Sequence, residues 1–189
     1  MHDLYRNARC HGRGGFTLVE LMIAIGVIAI LAAIAVPGVI SWLPNYRLKA
    51  AARDLYSNMQ QAKMKAIKEN KDWAIVFDSA NNRYYICSDK GADNSWSATG
   101  DNSITTTINL LNYKNGIGYG HGSATSAVGS SFESDNITYN SNVVVFNPRG
   151  SSNAGYVYID HQTHTTTFAV GTVSSGAIRL LKWRGNKWQ

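Results

Sequence analysis

One carboxylate inside a long uncharged stretch is the residue with the clearest chemical demand in this chain. The stretch opens as Arg13-Gly14-Gly15-Phe16-Thr17-Leu18-Val19-Glu20-Leu21-Met22-Ile23-Ala24 and continues without another charge to Leu43. About 20 such residues cross the hydrocarbon core of a bilayer. A carboxylate in that setting costs about 2.5–3.5 kcal/mol on insertion scales. Glu20 therefore asks for a cation at its own depth, and no other charge in the stretch competes for one. The alternative is a Glu20 close enough to the interface to snorkel or take up a proton.

Other residue groups suggest chemistry and carry less of it. Asp160, His161 and His164 have types that suit zinc, but they sit at a strand–turn junction, where positions three apart are not held on one face. A solvated turn is the reading, with no metal. The glycines of Gly116-Ile117-Gly118-Tyr119-Gly120 resemble a phosphate loop, yet no helix pattern follows to offer an anion its N-terminus. The last eleven residues interleave Arg179, Lys182, Arg184 and Lys187 with Trp183 and Trp188. Cations neutralise phosphates and aromatics stack on bases, so this tail fits weak, sequence-independent DNA contact. It fits better an edge strand blunted by charge, as sheet edges commonly are. No Ser/His/Asp ordering marks a hydrolase, so the chain reads as non-enzymatic and without a cofactor.

The junction Gly15-Phe16 and the acid at Glu20 resemble the start of type IV prepilins and of the pseudopilins of type II secretion. Those proteins carry a short basic leader ending in Gly, then Phe, then an acid five residues into the mature chain. They commonly have a proline at the twenty-second mature position, which here is Pro37. The resemblance implies cleavage between Gly15 and Phe16 by a prepilin peptidase and N-methylation of Phe16. It also implies pairing of Glu20 with the Phe16 amine of a neighbouring subunit, which would neutralise a buried charge and fix the stagger between helices. Arg6, Arg9 and Arg13 against Asp3 keep the leader in the cytoplasm and send the C-terminus outward across the inner membrane. Two competing readings are a secretory signal cut after Ala33-Ile34-Ala35 and a plain single-span anchor. The first gives the Gly-Gly-Phe junction no role, and neither accounts for Glu20.

Composition bounds the part of the chain beyond the membrane segment. The chain has 189 residues and a formal charge of +6; removing residues 1–15 takes away three Arg and one Asp, leaving +4. Length allows one small domain beyond the span. Cys10 falls in the leader, so Cys87 is left as a single thiol with no intramolecular disulfide to form, and a buried apolar role is expected for it. The fold must be held by its core.

The elements that position these residues are readable in outline. Leu48, Ala51, Ala52, Leu55, Met59, Ala62 and Ala66 recur at three and four, one face of a helix. Phe16 to roughly Asn70 then forms one helix with a kink or short unwound stretch near Pro37 and Gly38. Trp73–Phe77 and Arg83–Cys87 read as a hairpin across Ser79-Ala80-Asn81-Asn82. Asp89–Gly100 reads as loop, Ile104–Tyr113 as strand, and Gly116–Ser131 as a Gly/Ser/Ala-rich loop with little capacity to pack. Further strands are expected at Ile137–Tyr139, Val143–Phe146, Tyr156–Ile159, Thr165–Val170 and Ala177–Trp183. The fold class is α+β, a long helix whose C-terminal half packs on an antiparallel sheet.

The second half narrows the resemblance. Val145-Phe146-Asn147-Pro148-Arg149-Gly150-Ser151-Ser152-Asn153 looks like the Phe-x-Pro-x-Gly region of the GspH/FimT group. The Gly-Arg-x-Arg element that often opens the terminal strand there is matched by Gly176-Ala177-Ile178-Arg179, with Ala177 in place of the first arginine. The implied organisation is a leader at 1–15, a transmembrane and filament-core segment at 16–43, and a periplasmic domain at 44–189. The implied function is a structural subunit of a type IV pilus or type II pseudopilus, whose partners are the peptidase, other pilin subunits and the inner membrane. DNA is a further partner if the FimT-like alternative holds.

Overall fold

The computed structural model describes residues 15–97, 100–113, 116–162 and 164–189, with the side chains of 36–41, 164 and 165 outside that description. The chain divides into two compact units between Ser41 and Trp42. Helix α1 is assigned continuously over Leu18–Glu69, through Pro37 and Gly38. The Pro37 side chain lies outside the described residues, as do Arg6, Arg9, Arg13, Asp3 and Cys10 of the leader.

Among the described residues of the unit from Trp42, eight strands follow α1: β1 (Trp73–Asp78), β2 (Arg83–Cys87), β3 (Ile104–Asn109), β4 (Ile117–Tyr119), β5 (Val143–Phe146), β6 (Gly155–His161), β7 (His164–Thr172) and β8 (Ile178–Lys182). They form two four-stranded sheets, ordered β3-β2-β1-β5 and β4-β6-β7-β8, and every pairing is antiparallel. The sequence suggests one sheet; the structure has two. The chain enters the second sheet at β4, returns to the first at β5, and after the turn at Asn147–Gly150 goes back to the second as β6.

The helix face read from the spacing is the face that is buried. Leu48, Ala51, Ala52, Leu55, Met59, Ala62 and Ala66 join one cluster with Trp73, Ile75 and Phe77 of β1, Val144 and Phe146 of β5, Val157 and Ile159 of β6, and Phe168 and Val170 of β7. Both sheets therefore turn alternate residues to a single core. Small alanines let the helix approach, while burial of each larger side chain contributes roughly 1.5–3 kcal/mol. The intervening residues face outward and are covered separately. Ala74, Val76, Tyr85, Cys87 and Val143 lie beneath Trp96. Tyr156, Tyr158 and Ala169 lie beneath Ala127, Val128, Phe132 and Trp188.

Three expectations about single segments need correction. The segment 116–131 does pack: Ile117–Tyr119 is strand β4, paired with β6, and Ile117 and Ala124 are buried. The backbone N–H of Val128 donates to the Tyr158 hydroxyl at 2.8 Å. The strand expected over Ile104–Tyr113 ends at Asn109, and Leu110–Tyr113 turns into a short 3-10 helix. Ile137 makes only an isolated bridge to Val157 and is not part of a strand. Cys87 is fully buried, and burial pushes its thiol up to about 11.

Candidate functional site

The residues around Glu20 start from an extended run. Gly15, Phe16 and Thr17 precede α1, and Phe16 is 87% exposed. Thr17 is the N-cap: its Oγ1 accepts the Glu20 N–H at 3.2 Å, and its carbonyl accepts the Leu21 N–H at 3.2 Å. Glu20 is thus the third residue of the helix. Thr followed three positions later by Glu is the spacing of a capping box, and a carboxylate there also meets the positive end of the helix dipole. This second role is written in the sequence as Thr17-x-x-Glu20, where the cost of an acid in a membrane segment overshadows it. Beyond it, Leu18–Ala35 has a mean hydropathy of 2.7, and none of its side chains is buried.

The two motif segments of the second half meet in space. Asn147 organises the first: its Oδ1 accepts the N–H groups of Arg149 and Ser151 at 3.0 and 3.2 Å, and its own carbonyl accepts the Gly150 N–H at 2.9 Å. Gly150 (φ +80°) then lies against Gly176 (φ +75°) at the β7–β8 turn. Lys63 of α1 donates to the Gly176 carbonyl at 2.8 Å. The helix, the Pro-Arg-Gly turn and the start of the terminal strand are one structural joint.

The C-terminal tail folds back on itself. The backbones of Lys182 and Gln189 exchange hydrogen bonds at 2.7 and 3.1 Å, and the Arg184 N–H donates to the Lys187 carbonyl at 3.0 Å. The tryptophans serve this hairpin. Trp183 is buried, and the rings of Trp183 and Trp188 lie 5.2 Å apart. Trp188 packs on Tyr158 and donates Nε1–H to the Ser126 carbonyl at 2.7 Å. Basic and aromatic side chains are consequently not interleaved on one surface. Arg179, Arg184 and Lys187 are exposed, while Lys182 lies half-buried beside the Phe168 ring. β8 is an edge of its sheet.

The polar groups near the glycine-rich segment serve the chain itself. Asp160 faces the backbone of Gly120 and Gly122 so closely that a β-carbon on either would fall 2.3 or 3.3 Å from its carboxylate oxygens. Burial pushes the Asp160 carboxyl up, although the Gly122 N–H and the imidazoles of His121 and His161 pull it back. The loop wraps a carboxylate of its own chain, which explains its glycines without an external anion. His161 and His164 are cross-strand partners at the β6–β7 turn. Among the described residues no three His, Cys, Asp or Glu group closely enough to hold an ion.

Comparison with known proteins agrees with both halves. A prokaryotic N-terminal methylation motif matches residues 10–36, and the family model of the type II transport protein GspH matches residues 51–176. No curated protein matches the chain in sequence. Among solved structures, the type IV minor pilin FimU of Pseudomonas aeruginosa aligns at 12% identity and TM-score 0.51, over 77% of this chain and 94% of that one. The minor pseudopilin EpsH of the Vibrio cholerae type II secretion system aligns at 18% identity and TM-score 0.49, over 71% and 96%. At such identities the FimU likeness speaks to the fold alone. The GspH match spans well over half of the 189 residues, and on that ground the chain belongs to the GspH family.

Proposed function

We propose that this GspH-family chain is a minor pilin or pseudopilin, matured by a prepilin peptidase between Gly15 and Phe16 and built into a filament through its N-terminal helix. The observation that carries the reading is the coincidence of three features within six residues. An exposed Gly15-Phe16 junction and a Thr17 cap precede an apolar segment whose side chains are all exposed, and the Glu20 acid lies at its start. Such a surface is stable only against lipid or other helices. In the inner membrane it holds the subunit with its C-terminal domain in the periplasm; in the filament it packs among neighbouring helices. Cleavage frees the Phe16 amine, which the methyltransferase step modifies, and Glu20 of an adjacent subunit pairs with it. Pro37 supplies the adjustable point along α1.

Mass spectrometry of the membrane-extracted protein tests the reading. The expected mature chain begins at N-methylated Phe16. A chain beginning after Ala35 would remove it in favour of an ordinary secretory signal.

A second reading, DNA contact in uptake, has one observation in its favour. Arg179, Arg184 and Lys187 are exposed and make no ion pair among the described residues.

A further inference from the structure

We propose that a groove at the start of the C-terminal unit, formed by Trp42, Tyr46, Lys49 and Lys182, seats the headgroup of an anionic phospholipid in the membrane that anchors the chain. The inference rests on the membrane-anchoring reading above and adds a specific lipid site to it. Trp42, Asn45, Tyr46 and Lys49 recur at three, four and seven along α1, which places them on one helix face. Thr166 and Phe168 of β7 and Lys182 of β8 complete a groove of about 210 Å³.

The lining has the chemistry of a bilayer interface. Trp42 and Tyr46 are 60% and 56% exposed, and their rings lie 5.2 Å apart at 32°. Exposed aromatics with one polar edge favour the headgroup level, where an apolar body and a wet tip are both satisfied. Two lysines line the groove, and among the described residues the lining includes no carboxylate. The Asn45 Oδ1 is buried without a hydrogen-bond partner among the described residues. A phosphate between Lys49 and Lys182 and a headgroup hydroxyl donating to Asn45 Oδ1 would satisfy all three.

Chain continuity selects the lipid over other anions. The chain stays uncharged through Tyr46, so Trp42 and Tyr46 lie near the end of that stretch, with Arg47 the next charge. Seven residue steps separate Ala35 from Trp42, which limits their separation to about 25 Å even fully extended. Chain connectivity alone thereby keeps Trp42 within reach of the membrane surface, whose headgroup region is roughly 5–8 Å thick on each side of the core. Phospholipid phosphate is then concentrated within its reach, and the net negative charge of an anionic headgroup favours each lysine over a zwitterionic one.

The test uses the full chain reconstituted into nanodiscs of phosphatidylethanolamine with phosphatidylglycerol. Lipids brominated near the headgroup should quench part of the tryptophan fluorescence, and Trp42→Phe should abolish that part while leaving circular dichroism unchanged. Native mass spectrometry should show retained phosphatidylglycerol over phosphatidylethanolamine. That preference should fall about fivefold with Lys49→Gln and again with Lys182→Gln. Quenching that is the same in wild type and Trp42→Phe overturns the proposal, as does an unchanged lipid ratio. Displacement of the lipid by millimolar inorganic phosphate would mark a soluble-anion site instead. Displacement by a short DNA duplex, lost in Lys182→Gln, would mark a nucleic-acid site. A Phe16 N-terminus in the same sample keeps failure of the groove distinct from failure of the pilin reading.

Discussion

The carbonyl oxygen of Gly150 lies 1.9 Å from the point a β-carbon on Gly176 would occupy. No side chain fits there, and the φ of +75° at Gly176 is one that residues other than glycine adopt only under strain. The contact joins the turn after β5 to the turn before β8, and Lys63 fastens both to α1 through the same Gly176 residue. Two segments about 25 residues apart in sequence thus become one joint. The joint sets where the terminal strand begins.

Gly176→Ala should therefore cost much more than an alanine at a comparable but open glycine. Gly129 has nearly the same φ, +76°, and nothing within 4 Å of its missing β-carbon. Gly129→Ala should cost about 1 kcal/mol, the backbone strain alone. Gly176→Ala should cost about 3 kcal/mol or more, because strain and steric overlap add. Thermal melting of both variants checks this; equal shifts would mean that the joint relaxes freely.

Legibility in the sequence depends on periodicity. The buried face of α1 is readable residue by residue, from Leu48 to Ala66, because a helix repeats its apolar positions often enough to be counted. The hairpin β1–β2 is legible from its turn cluster. The segment 116–131 is not, because Ala127 and Val128 are sparse, small residues whose packing depends on Tyr158 and Ala169, far along the chain. The tail misleads for a related reason. Trp183 and Trp188 alternate with cations along the chain, but a turn at Gly185 brings them together and sets Trp188 on Tyr158, a tertiary outcome that spacing does not encode. At the N-terminus the Thr17 cap is in plain view, masked by the more conspicuous cost of Glu20.

Two aspartates should give opposite pH signatures. At Asp160 burial raises the folded pKa above 3.8. Its contribution to stability is then complete below the unfolded value and lost as pH rises through the folded one. Asp160→Asn keeps an oxygen for the Gly122 N–H, and at pH 7 it should melt at or above wild type. At Asp78 burial also opposes ionisation, but hydrogen bonds from Arg83 and Asn81 and the Arg83 charge outweigh it and lower the pKa. Its contribution is present above 3.8 and lost as pH falls through the folded value, so Asp78→Asn should melt below wild type at pH 7 and converge with it in acid. Melting curves from pH 2.5 to 8 separate the two cases; parallel behaviour would refute both assignments.

Glu20 has two candidate roles, and one substitution distinguishes them. Glu20→Ala removes both charge and cap partner, leaves insertion easier, and should deplete the subunit from sheared filament fractions while cleavage proceeds. Glu20→Gln keeps a side chain suited to the capping box with Thr17 and loses the charge. If pairing with the Phe16 amine drives assembly, Gln should fail as Ala does. Incorporation of the Gln variant at wild-type level would assign Glu20 to helix capping and end the pairing proposal.

The tail separates packing from nucleic-acid binding. Trp188 donates to the Ser126 carbonyl and lies against Tyr158, so Trp188→Ala should lower the melting temperature by several degrees, as loss of a packed aromatic costs about 3 kcal/mol or more. Neutralising Arg179, Arg184 and Lys187 together should leave melting nearly unchanged, since exposed charges contribute little. If these residues bind DNA, the purified protein in detergent should hold duplex weakly and without sequence preference. The triple neutralisation should then flatten the log–log salt dependence by roughly 0.9 for each phosphate that is no longer neutralised. No shift with duplex or single strands even at low salt, or equal binding by the neutralised variant, would leave the charges as protection for the β8 edge. That outcome would fit the geometry directly, because an edge strand with outward cations resists pairing with another chain.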